Sequence, residues 1–107
     1  MSARADREAE QSELGGFNMT IHAPIRLRLC ASLEAVGEVE FSRMRELLGI
    51  SKSALSKHVA TLTEEGYVEQ RRGVRDSRQR VWLCLTPDGH TAYRDHVAAL
   101  RAILEQQ

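Results

Sequence analysis

Apolar residues along the chain fall into four helical stripes and one alternating pair of strands. In the first stripe Ile25, Leu29, Leu33 and Val36 recur at helical spacing, and Leu27 and Cys30 add a second apolar strip. A helix packed on two sides is expected from about His22 to Gly37, with Pro24 in its first turn. Val39-Glu40-Phe41 reads as a very short extended piece. Ser42 is placed to cap a second helix, with Met44, Leu47 and Leu48 inward and Gly49 at its end. Ser51 caps a third helix whose buried stripe is Leu55, Val59 and Leu62, and Gly66 follows its last turn. Residues 67–71 and 80–85 read as the strands of a hairpin around a polar, basic tip at about 72–79. Thr86-Pro87-Asp88 combines a cap, a first-turn proline and an acid at the positive helix end. The last helix carries Tyr93, Val97, Leu100 and Leu104 at 4-3-4 spacing, flanked by His96 and Ile103.

The order α-β-α-α-β-β-α predicts an α+β fold, mainly α, that ends in a long C-terminal helix. At 107 residues the chain suits one domain, placed at residues 21–107. Residues 1–20 are polar, end at Gly15-Gly16 and offer almost nothing to bury, so they are expected to form a flexible arm. Aromatic residues make up only 5% of the chain, which argues against a base-stacking platform for single strands. Cys30 and Cys84 sit in apolar patterns and read as buried free thiols of a reducing compartment. No apolar run approaches the ~18 residues of a membrane span, and the start of the chain lacks a signal-peptide core. A cytoplasmic protein with no membrane partner is expected.

Charge changes the picture. The net charge is zero, yet residues 42–80 hold nine Lys/Arg against five acids, while residues 1–41 hold four bases against seven acids. Binding of a polyanion depends on this local field and not on the total. With Leu55, Val59 and Leu62 inward, the third helix must expose Lys52, Ser53, Ser56, Lys57 and Ala60. Short side chains at Ser53, Ser56 and Ala60 let such a helix sit deep in a major groove, where Lys57 can reach a guanine edge or a phosphate. Ser51 and the first-turn N–H groups can hold a phosphate, and His58 lies at the flank. Ser42 and Arg43, opening the second helix, join the same candidate set.

The hairpin packs Arg71, Arg72, Arg75, Arg78 and Arg80 into ten residues. Folding needs none of them, and duplex phosphates would relieve their repulsion with release of counterions. Trp82 reads as core or hinge packing, and Asp76 as orienting a neighbouring Arg or the loop backbone. Double-stranded DNA is therefore the expected partner.

The series Ser51, Ser53, Ser56-Lys57-His58-Val59, Leu62, Gly66-Tyr67-Val68, then Leu85-Thr86 and Gly89, resembles the MarR-type winged helix-turn-helix regulators. The match is closer to their short subgroup, which is little more than a winged helix with a C-terminal dimer helix. Residues 23–29 and 89–100 also resemble that subgroup, and the resemblance spans roughly residues 20–104. It implies a homodimeric transcription regulator, usually a repressor, with the third helix in the major groove and the hairpin as a wing on the minor groove. It places Leu27 of the first helix and Tyr93, Val97, Leu100, Ile103 and Leu104 of the last at the dimer interface. Two recognition helices about 34 Å apart would then read a pseudo-palindrome. Asp76 stands ten residues before Thr86, one more than in longer members, so Arg75, Arg78 and Arg80 all compete for the minor groove. Longer members hold ligands between the dimer helices and the DNA-binding part. This chain lacks the extra helices, so a large effector pocket is not expected and any small-molecule effector is unidentified.

Rival readings use the same scaffold. A metal sensor would need a site built across a dimer from His22, His90 or His96, because His90 and His96 do not share a helix face; otherwise these are surface histidines, His96 at the edge of the dimer seam. A thiol switch would use Cys30 or Cys84. A protein-interaction winged helix is opposed by the Ser/Lys face and the five wing arginines. No nucleophile–base pair or phosphate loop marks an enzyme, and no cofactor or metal is called for.

Overall fold

The computed structural model describes residues 15–106. Its elements are α1 (Met19–His22), α2 (Pro24–Val36), β1 (Glu38–Glu40), α3 (Phe41–Leu48), α4 (Lys52–Glu64), β2 (Val68–Arg75), β3 (Arg78–Leu85) and α5 (Pro87–Glu105). The chain is mainly helical, and its strands form one antiparallel sheet in the order β1-β3-β2.

The local chemistry explains most boundaries. Pro24 opens α2, the Ser51 hydroxyl accepts the Ala54 N–H at the head of α4, and that of Thr86 accepts the Gly89 N–H at the head of α5. Beyond α4, Gly66 adopts a left-handed φ of 79°. Its N–H bonds to the Thr63 carbonyl and that of Tyr67 to the Leu62 carbonyl, which together close a Schellman motif. The core gathers Leu29, Cys30 and Leu33 of α2, Met44 and Leu48 of α3, Leu55, Val59 and Leu62 of α4, and Val68, Leu83 and Leu85 of the hairpin.

Four expectations require correction. Ser42 does not cap α3: the helix starts one residue earlier, Glu40 is its N-cap, and the Ser42 hydroxyl donates to Glu40 Oε1 at 3.0 Å. Leu47 and Val36, read as inward, are 41% and 69% exposed. The hairpin strands are longer than the 67–71 and 80–85 expected, and pair from Val68–Leu85 out to Arg75–Arg78. The tip is only Asp76-Ser77, whose φ angles of 54° and 63° meet the requirement of a two-residue I′ turn. Finally, Phe17, Asn18 and Thr20, read as part of an unburied arm, are buried, with Asn18 capping α1 through Oδ1 to the Ile21 N–H. Residues 1–14 of that arm lie outside the described residues.

The start of α5 packs directly on the turn between α4 and β2. A Cβ at Gly89 would collide with the Tyr67 carbonyl, which also accepts the Thr86 N–H. Gly89→Ala is expected to cost about 3 kcal/mol through overpacking, read as a lower denaturant midpoint at unchanged m-value.

Candidate nucleic-acid interface

α3 and α4 are joined by a tight turn. Gly49 is left-handed, Ile50 N–H bonds to the Arg45 carbonyl, and Arg45 Nε returns a bond to the Ile50 carbonyl at 3.4 Å. The second helix of this pair is the one whose inward stripe was expected, and Leu55, Val59 and Leu62 are indeed buried. Lys52, Ser53, Ser56, Lys57 and Ala60 are all exposed. Ser51 Oγ lies 3.2 Å from Ser53 Oγ, so two hydroxyls cluster where the first-turn N–H groups lack helical partners. Arg43 forms an exposed single-contact ion pair with Glu46 at 3.1 Å, of the kind worth little in water.

His58 is placed differently from its neighbours. It is half-buried and turned toward α2, with Nδ1 3.2 Å from Arg26 Nη1. Burial, and secondarily the Arg26 charge, push its pKa down. A neutral ring can accept the guanidinium N–H, so His58 braces α4 against α2.

The wing arginines divide into two groups. Strand alternation puts Arg71, Arg75, Arg78 and Arg80 on one face of the ribbon with Trp82, and Arg72 on the other. Glu38 and Glu40 of β1 share the first face. Arg71 lies over the Trp82 ring, 4.4 Å from its centroid, and donates twice to Glu38, at 2.9 and 3.1 Å. That bond lowers the Glu38 pKa and raises that of Arg71. Arg80 Nη1 donates to Glu40 Oε1 at 2.8 Å. Arg72, Arg75 and Arg78 are exposed and form no ion pair among the described residues. Asp76 serves the turn itself. A cleft lined by Phe41, Ser42, Arg45, Lys52, Gln79 and Arg80 runs between the helix pair and the base of the wing.

The residues expected at a dimer seam lie in two settings. Leu27 and Tyr93 pack partly against the chain's own core, and Val97 and Leu100 are half-buried. Ile103 and Leu104 are 42% and 69% exposed. His96, read as a surface or seam-edge residue, is instead fully buried. Its Nδ1 accepts the Asn18 N–H at 2.9 Å, its Nε2 faces His22 Nδ1 at 3.3 Å, and Phe17 stacks edge-on against it. Sequence spacing had no signal for this contact, because two of its partners, Phe17 and Asn18, lie in the segment assigned to the arm. His90 is also engaged, bonded at 3.0 Å to Glu34, which in turn pairs with Arg94.

Burial, then the neighbouring His22, lower the His96 pKa from its ordinary 6.5 to about 4. The folded chain keeps this ring neutral, while the unfolded chain takes up a proton below 6.5. Its stabilising contribution is therefore complete above pH 6.5, falls between 6.5 and 4, and is flat below 4. A loss of about 3 kcal/mol over that interval is expected, checked by denaturant titrations at each pH and abolished by His96→Gln.

The thiols are poor nucleophiles. Burial pushes Cys30 up to about 12, against a smaller opposing effect of Arg26. Burial and Glu69 push Cys84 upward. Among the described residues no three His, Cys, Asp or Glu side chains gather as a metal site, and no helix is long and apolar enough to cross a membrane.

A helix pair with an exposed polar second helix, followed by a basic two-stranded ribbon, defines a winged helix-turn-helix. Residues 25–104 match the Winged helix DNA-binding domain family, and the chain belongs to it. A biofilm growth-associated repressor of Xylella fastidiosa is 32% identical over 72 residues, 67% of this chain and 62% of that repressor. The match thus spans less than two thirds of the relative's length. The fold is shared with a transcriptional regulator homologue from Pyrococcus horikoshii OT3, at a TM-score of 0.77 and 22% identity over 81% of this chain and 86% of the other. It is shared too with a MarR family regulator from Enterococcus faecalis V583, at a TM-score of 0.70 and 21% identity over 99% and 88% of the two chains. The fold is MarR-like, and at these identities the likeness is one of fold.

Proposed function

We propose that this chain is a sequence-specific, double-stranded DNA-binding transcriptional regulator that acts as a homodimeric repressor on a pseudo-palindromic operator. α4 enters the major groove and the β2–β3 wing lies along the minor groove. The observation that carries this reading is the set of exposed donors made by Lys52, Ser53, Ser56 and Lys57 on α4 and by Arg72, Arg75 and Arg78 on the wing. Ser51, Ser42 and Arg43 extend it along the phosphate backbone, while His58 contributes through the seating of α4. The repressor relative supports the direction of regulation. No enzymatic step is part of this reading.

Binding of random and genomic duplexes, followed by fluorescence anisotropy across a salt series, tests it. Affinity for any duplex should fall steeply with salt, and genomic selection should enrich one sequence class. Absence of binding to either duplex at low salt removes the proposal. Lys57→Ala is expected to cost about 1–3 kcal/mol of preference for the selected operator, with less effect on random DNA. Unchanged preference would reassign the base-reading role away from α4.

A further inference from the structure

Two of the wing's five arginines are already occupied by carboxylates of the neighbouring strand. Register brings this about: Glu38 lies opposite Cys84 and Glu40 opposite Trp82, so both acids share a ribbon face with Arg71 and Arg80. Glu38 takes Arg71 through two parallel bonds, the geometry in which a carboxylate substitutes for a phosphate. Glu40 accepts from both Arg80 and Ser42, tying the wing base to the head of α3. Arg80 Nε is buried without a hydrogen-bond partner. A donor left unsatisfied there costs stability, so packing alone does not account for an arginine at this position.

We infer that Glu38 and Glu40 are specificity-determining residues that hold Arg71 and Arg80 away from DNA phosphates and so suppress non-specific binding. This rests on the DNA-binding reading above. Phosphate contacts add affinity to every sequence alike. Neutralising the two arginines at the wing base leaves the wing's non-specific attraction to Arg72, Arg75 and Arg78, and leaves a larger share of the total affinity to base reading by α4.

The test measures the slope of log affinity for random duplex against log salt in the full-length chain. Glu38→Gln/Glu40→Gln keeps the shape and removes the neutralising charge. The slope is expected to steepen by about one unit per released arginine, with random-duplex affinity rising by about tenfold and discrimination for the operator falling. Adding Arg80→Met to Glu40→Gln should restore the wild-type slope for that arm. In the wild-type background, Arg71→Met and Arg80→Met should leave the slope unchanged. Glu105→Gln, the same charge change as either single glutamine substitution but at the far end of α5, should not reproduce the per-residue steepening. An unchanged slope in the double glutamine variant, an equal effect of Glu105→Gln, or a flatter slope from Arg80→Met alone would overturn the inference while leaving the DNA-binding reading intact. Failure of the wild-type chain to bind any duplex would remove both.

Discussion

Replacing Arg75 and Arg78 with alanine is expected to weaken binding to all duplexes by about two orders of magnitude at moderate salt, and to flatten the salt dependence by about four units in a dimer with two wings. The two residues lie directly opposite one another beside the Asp76-Ser77 turn. Like charges facing across an antiparallel pair are destabilising, and no acid among the described residues pairs with either. The free protein should therefore become slightly more stable when both are removed. Loss of affinity with a gain of stability separates a binding role from a structural one, because a damaged fold moves both in the same direction. Arg72 points to the opposite face of the ribbon, so Arg72→Ala alone should have a smaller effect. A double variant that retained the wild-type salt slope would show that the wing tip does not meet the phosphates.

The parts of this interface that were legible in the sequence are those set by local chemistry. The Leu55, Val59 and Leu62 stripe leaves only one possible outer face for α4, and Ser51, Gly66 and Thr86 each mark a helix end through a bond within a few residues. The wing's length was hidden for a physical reason. Past Val68 its inner positions are Gln70, Arg72 and Val74, of which the two polar residues and even Val74 stay exposed, so no apolar alternation announces a strand. The pairing comes from the backbone ladder with β3. Leu47 was misread because a helix of eight residues buries one narrow stripe, and Met44 and Leu48, four apart, already fill it. The placement of His96 was out of reach of any pattern. Asn18 is 78 residues away in sequence, and hydrogen bonds between polar groups link it to His96 and Tyr67 and link His96 to His22, with Phe17 against the His96 ring. Likewise, the division of the wing arginines into bound and free sets depends on β1 register, which the spacing of charges along the hairpin does not encode.

Substituting Leu104 by aspartate is expected to convert the proposed homodimer into monomers and to lower operator affinity by about two to four orders of magnitude. Leu104 is 69% exposed at the free end of α5, and Ile103 beside it is 42% exposed. Leu27, Met19 and Pro24 line an apolar groove on the side where α1 and α2 meet. A charge at Leu104 removes little from the protomer's own core, so the fold should be retained, as a far-ultraviolet spectrum would show. Burying that charge in a symmetric seam would place two carboxylates against apolar surface, a cost large enough to prevent association. The affinity loss follows from geometry. In the dimer, engagement of the first half-site makes engagement of the second intramolecular, with a gain of about 10²–10⁴ in avidity. A monomer loses that gain on the operator and keeps its contacts to a single half-site. Leu100→Asp, at a half-buried position of the same stripe, should also dissociate the dimer but with some loss of stability. Sedimentation equilibrium at micromolar concentration reads the mass directly. A Leu104→Asp chain that remained dimeric would place the seam elsewhere than the end of α5, and one that became monomeric with undiminished operator affinity would mean that a single winged helix reads the site.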